Sequence, residues 1–162
     1  MGVTVIGVLG QDVQIIAADV DTGVLETVRK GVYTEERVSK FVPDLIKRYF
    51  LRGTGELARF VRVRPKLAEM ITIRQLNLRH NNCSLRFSID VILCRNVMIY
   101  FDKQAQLDML KKFRPLLCSS DLLFAGYSES FHHADEYFKL RGKIVYELPP
   151  TFKAQHKVEV SR

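Results

Sequence analysis

Asp19 closes a short apolar run, residues 13–18 (VQIIAA). An ionised carboxylate just past a strand offers two acceptor oxygens to the two donors of a ribose diol. The same residue type at the same place also caps helices and turns, so both roles stay open. Arg95 and Asn96 follow a second apolar run, residues 89–94 (IDVILC), where backbone and amide groups can reach the flank of a bound nucleoside. Tyr100 lies within one turn of them; Asn96 and Tyr100 fit a binding mouth and a plain surface equally, whereas Met98, Ile99 and Phe101 read as core. His132 and His133 lie in a polar loop without a nucleophile elbow, and no second His or Cys cluster completes a metal site, so neither a hydrolase triad nor a metal is implied.

These residues need a frame. Residues 13–18 predict a buried strand of a parallel sheet, followed by a helix that Asp21 or Thr22 caps, Val24, Leu25 and Val28 line, and Gly31 ends. Residues 34–50 predict two short helices, with Pro43 near the start of the second. The run RGTG (52–55) is turn-like, and Phe60, Val61 and Val63 interleave with Arg59, Arg62 and Arg64, which predicts a small hairpin with a cationic face. Residues 71–76 (ITIRQL) read as an outer strand and residues 89–94 as a deeper one, with Asn81, Asn82 and Ser84 in the loop between. Asp102 caps a helix with Leu107, Leu110, Phe113 and Leu117 on one face and Pro115 at its end; residues 122–125 return to the sheet. Residues 136–140 and 143–148 flank Arg141 and Gly142 as a closing hairpin. Alternating strands and helices imply an α/β sheet whose ligands sit at the carboxyl ends of its strands. Three loops meet there, holding Asp19 and Asp21, Asn77 and Leu78, and residues 95–101.

The chain has 162 residues, 47% hydrophobic and 27% charged, which suits one domain with a core. Lys and Arg number 25 against 18 Asp and Glu, and the net charge of +7 favours an acidic partner without choosing among nucleic acid, lipid and protein. The basic hairpin lacks an RNA-recognition signature, so no nucleic-acid partner is expected. Cys83, Cys94 and Cys118 make an odd set with no C-x-x-C spacing, which supports neither a disulfide framework nor a zinc ribbon. No stretch approaches about 18 uninterrupted apolar residues, so a soluble, cytoplasmic protein without membrane insertion is expected.

CRNVMIYFDK (94–103), LLFAGYSESF (122–131) and AADVDTGVLETVRKGVY (17–33), with RYFLRGTG, VRVR and LNL, together resemble the chemotaxis receptor methyltransferases of the CheR family from about residue 8 to residue 148. The resemblance implies a Rossmann-like class I S-adenosylmethionine-dependent methyltransferase fold in α/β architecture. It also implies transfer of a methyl group from S-adenosylmethionine to glutamate side chains in the cytoplasmic domains of methyl-accepting chemotaxis receptors. By position, Asp19 corresponds to the family's ribose-binding acid, Asn77 and Leu78 to its adenine-flanking pair, Arg95 and Asn96 to the loop beside the cofactor, and Tyr100 to the tyrosine near the transferring methyl. Residues 49–64 fall in the family's inserted β-subdomain, residues 1–149 make up a partial catalytic domain, and residues 150–162 read as a flexible tail. A monomer is expected.

Asp19 stands too near Met1 for a glycine-rich turn and helix to precede it. The family's first strand, its cofactor loop and its helical N-terminal domain are therefore expected to lie before Met1, leaving a fold that lacks its central first strand. Residues 3–9 could fill that gap as a makeshift strand. Such a chain is expected to be marginally stable and weak or inactive, or else to be a non-catalytic receptor-binding remnant. Tyr127 and Ser130 depart from the family's GHSENF run beside the methyl site.

Overall fold

The computed structural model describes residues 2–9, 12–77, 89–95, 97–127 and 129–150, with residues 2–9 and 12 described by their backbone alone. Among these the order is β1 (Gly2–Leu9), β2 (Asp12–Asp19), α1 (Thr22–Lys30), β3 (Val32–Thr34), α2 (Glu35–Val38), α3 (Pro43–Tyr49), β4 (Phe50–Arg52), β5 (Phe60–Val63), α4 (Pro65–Ala68), β6 (Ile71–Gln75), β7 (Val91–Cys94), α5 (Lys103–Phe113), β8 (Leu122–Ala125), β9 (Lys139–Gly142) and β10 (Val145–Glu147).

Seven strands form one sheet in the order β6-β2-β1-β7-β8-β10-β9. β2 is parallel to β6 and β7 is parallel to β8, as apolar runs covered on both faces favour. β1 stands between the two parallel pairs and runs against both: Val5 pairs with Ile16 on one side and with Ile92 on the other. Only residues 10 and 11 separate β1 from β2, and so short a connection joins antiparallel neighbours; a parallel crossover needs about a dozen residues or more. The expected gap is therefore closed. Residues 2–9 occupy the place assigned to the absent first strand, but with the opposite direction, and the backbone groups of β2 and β7 that were expected to lie bare are paired.

α1 begins where Asp21 Oδ1 accepts the backbone N–H groups of Gly23 at 2.8 Å and Val24 at 3.3 Å. It ends at Gly31, whose φ of 61° is a left-handed conformation that favours glycine. β3, β5 and β4 form a separate antiparallel sheet. The RGTG turn joins β4 to β5, and β3 adds a third strand that the hairpin pattern does not predict. Val61 of β5 is buried on the inner face of this sheet; on its outer face Arg62 lies in register with Val32 and Leu51, both exposed. Apolar residues thus interrupt the cationic face expected there. Arg52 meets Glu35 at 3.6 Å, and Arg64 Nη2 donates to the Lys47 carbonyl at 3.4 Å.

The main core lies under β7, β8 and β10, where Ile92, Leu123 and Tyr146 meet Met109, Leu110 and Phe113 of α5 and the loop residues Phe131 and Phe138. Asp102 caps α5, accepting the Ala105 N–H at 2.8 Å, and Pro115 stands in the 3-10 turn that follows the helix. The closing hairpin turns at residues 143–144, two residues later than expected: Arg141 and Gly142 belong to β9, while Phe138 leaves strand geometry to fill the core. Residues 151–162, expected as a tail, and the loop residues Asn81, Asn82 and Ser84 lie outside the described residues.

Val5 is paired on both sides, so a proline there removes a ladder donor inside the sheet. Val5→Pro is expected to lower the unfolding free energy by about 3 kcal/mol or more, read as a reduced urea midpoint. An unchanged midpoint would show that β1 adds nothing to the sheet.

Candidate functional site

The carboxyl ends of β6, β2, β7 and β8 share one edge of the sheet. Asp19 ends β2 there at only 4% exposure, because the neighbouring strand end covers it: the Leu76 N–H donates to the Asp19 carbonyl at 3.0 Å. Its Oδ1 accepts the Asp21 N–H at 3.0 Å, which turns the chain into α1. Gln75 Nε2 donates to the Val20 carbonyl at 3.2 Å and ties the same turn to β6. Gln75 is the register partner of Asp19, and Asn77, two residues past β6, is exposed on the same edge. Arg95 is exposed immediately past β7, across β1 from Asp19. Tyr100 ends a 3-10 turn spanning Met98–Tyr100 and is 61% exposed. Leu78 and Asn96 lie outside the described residues. Of the residues read as core, Met98 is fully buried and Phe101 packs against the core, but Ile99 is exposed on the outer side of the turn.

The reversal of β1 sets the shape of this edge. Gly2 pairs with Asp19, so β1 starts here, and its link to β2 lies at the opposite edge. No strand-to-helix loop therefore leaves β1 beside Asp19 among the described residues. The polar groups present, a buried carboxylate at the end of β2 and exposed polar residues just past β6 and β7, fit the nucleoside half of a ligand bound at the strand ends.

Glu129, which the sequence pattern does not single out, stands at the same edge of the sheet. At 6% exposure it lies in the loop after β8, and its Oε1 accepts the N–H groups of Val97 at 3.1 Å and Met98 at 2.8 Å in the loop after β7. Its Oε2 accepts the Gly126 N–H. One carboxylate thus joins two loops at the strand ends. Only its place in the LLFAGYSESF run hints at a role, since nothing in the spacing separates it from the exposed acids Asp135 and Glu136. On the other side of the turn, Gln106 Nε2 donates to the carbonyls of Met98 at 2.9 Å and Phe101 at 3.2 Å.

A separate cleft of about 730 Å³ lies between α1 and the three-stranded sheet, lined by Val24, Val28, Val38, Phe41 and Phe50 with Asp21 and Arg37. Asp21, in the turn after β2, is among its lining residues. Among the described residues no three His, Cys, Asp or Glu side chains are grouped to hold a metal ion, and no helix is long and apolar enough to cross a membrane.

The strand order, the acid at the end of β2 and the polar loops on the same edge define an α/β sheet with a strand-end site, and the class of the domain follows from its sequence relatives. Residues 4–146 match the family model described as CheR methyltransferase, SAM binding domain, and the chain belongs to that family. It is 45% identical over 135 residues to the chemotaxis protein methyltransferase of Escherichia coli K12, covering 83% of this chain and 47% of that protein. It is 43% identical over 149 residues to chemotaxis protein methyltransferase 2 of Pseudomonas aeruginosa, covering 90% and 53%. The chain spans about half the length of the curated relatives it matches.

Cys94, the last residue of β7, is fully buried under this edge. Burial, and secondarily the Glu129 carboxylate, push its thiol from 9.0 up to about 12. Above pH 9 the unfolded chain loses this proton while the folded chain keeps it. The corresponding stability is fully present below pH 9 and is lost as pH rises toward 12, at about 1.4 kcal/mol per pH unit. Cys94→Ala is expected to flatten the fall of unfolding free energy between pH 9 and pH 11 by about that slope, measured by urea titration against the parent chain. Equal slopes would refute the burial of a protonated thiol.

Proposed function

We propose that the chain forms the cofactor rim of a protein-glutamate O-methyltransferase that takes S-adenosylmethionine and esterifies glutamate side chains in the cytoplasmic domains of methyl-accepting chemotaxis receptors. Asp19 meets the ribose diol, Asn77 and Leu78 flank the adenine, Arg95 and Asn96 form the loop beside the cofactor, and Tyr100 stands near the methyl group. When bound, the cofactor would supply a sulfonium methyl group for transfer to a receptor carboxylate oxygen, with the thioether as leaving group. No proton need move, since a glutamate, with a reference pKa of about 4.3, is already ionised. Alignment of the reacting atoms is the main demand, which suits polar positioning groups without a triad or metal.

The observation that carries this reading is the buried carboxylate of Asp19 at the strand edge that also carries Asn77, in a chain of the CheR family. Activity of the chain as it stands is low in this reading. What supports that is the direction of β1, which brings a strand start rather than a strand-to-helix loop to the edge beside Asp19.

A second reading, a receptor-binding module without catalysis, draws on the three-stranded sheet. Its outer strands β3 and β4 pair on one side with β5 and offer edges to which an extended receptor tail could add. Calorimetry separates the two: binding of a receptor C-terminal peptide without binding of S-adenosylhomocysteine favours the module.

Incubated with methyl-labelled S-adenosylmethionine and receptor membranes, the chain is expected to transfer label slowly and as a base-labile ester; label stable to base eliminates a glutamyl ester. Asp19→Ala and Asn96→Ala are each expected to weaken S-adenosylhomocysteine binding, the former by about tenfold or more because hydrogen bonds to a charged group are lost. Unchanged affinity in both variants would overturn the site.

A further inference from the structure

β7 and β8 are parallel neighbours, with Cys94 in register with Ala125, and beyond them the chain leaves the ladder in two loops. Backbone N–H groups that leave a ladder beneath a covered edge need new acceptors. Val97, Met98 and Gly126 find theirs in one side chain, the buried Glu129. The turn of Met98–Tyr100 is also held from its carbonyl side by Gln106, which reaches the oxygens of Met98 and Phe101. Tyr100 is two residues past Met98 and Tyr127 one residue past Gly126, and the two phenols are 61% and 78% exposed. Two open aromatic side chains are thus carried by loops that a single buried carboxylate fastens together.

Resting on the proposed function, we infer that Glu129 is the positioning residue of the methyl-transfer rim: its carboxylate fixes the loop bearing Arg95 and Tyr100 against the loop bearing Tyr127. Glu129 touches neither cofactor nor substrate. It acts through the backbone of Val97, Met98 and Gly126, and so sets where the exposed groups of both loops stand. Alignment of carboxylate, methyl carbon and sulfur tolerates little displacement; about 1 Å of misplacement can cost a hundredfold in rate. Three donors converge on this side chain, and that convergence explains the residue type, because a carboxylate accepts at both oxygens and donates at neither. A glutamine of the same shape would turn an N–H donor toward another donor, and an aspartate would keep the charge but fall one methylene short.

The test uses Glu129→Gln and Glu129→Asp in the full chain, with amide hydrogen exchange and S-adenosylhomocysteine calorimetry. Glu129→Gln is expected to speed exchange at Val97, Met98 and Gly126 while the core amides of Leu110 and Leu123 keep their rates. S-adenosylhomocysteine affinity is expected to fall about tenfold, because the two loops lose the anchor that holds them in place. Glu129→Asp is expected to show the same local pattern, and it serves as the test if the glutamine variant does not fold. Protection retained at Val97, Met98 and Gly126 with unchanged affinity overturns the inference. So does faster exchange spread evenly over the loops, Leu110 and Leu123, which marks a residue that only supports the fold. If the parent chain binds no S-adenosylhomocysteine, the proposed function fails by itself; exchange confined to the two loops still upholds the fastening by Glu129, and uniform exchange overturns it.

Discussion

β2 and β7 run the same way and face each other across β1, so the N–H and C=O groups on their inward edges depend on that one strand for partners inside the sheet. Each such group left unpaired costs about 1 to 3 kcal/mol, a large share of the roughly 5 to 15 kcal/mol by which a domain is stable. β1 meets this need. Its ladders to β2 and β7 unite the half of the sheet that carries Asp19 with the half that carries the main core. Backbone hydrogen bonding is indifferent to chemistry, and a strand of either direction satisfies it. The ligand edge is not indifferent, because strand direction decides whether a loop or a strand start stands there.

The site divides accordingly. On one side of β1, Asp19, Gln75 and Asn77 stand where two parallel strands end together. On the other, the loops after β7 and β8 are set by Glu129 and Gln106, two side chains whose work is entirely on backbone groups. The burial that makes Glu129 an effective fastener is also what keeps Cys94 protonated, since both lie in the same water-poor layer under the edge. Loop position and stability at this edge therefore draw on neighbouring groups.

Much of this architecture is legible along the chain. Residues 13–18, 71–76 and 122–125 read as strands, Asp21 and Gly31 bound α1, and Asp102 caps α5, because caps and apolar periods are local signals. The last hairpin turns two residues beyond its expected place: Arg141–Gly142 looks like a turn, whereas the core's need for Phe138 sets the register. The cationic face expected over residues 59–64 is broken by Val32 and Leu51, which stand beside Arg62 from other strands and of which alternation along one strand says nothing.

The sequence by itself determined the alternation of strands and helices, the family, and the place of Asp19 at a strand end, since each rests on residues that are neighbours in the chain. The fold was needed to place β1 between β2 and β7 and to bring the Val97 and Met98 N–H groups to Glu129. Those outcomes depend on which groups meet across the fold: Val97 and Met98 are more than thirty residues from Glu129, and β2 and β7 meet only through β1, so no local pattern encodes them.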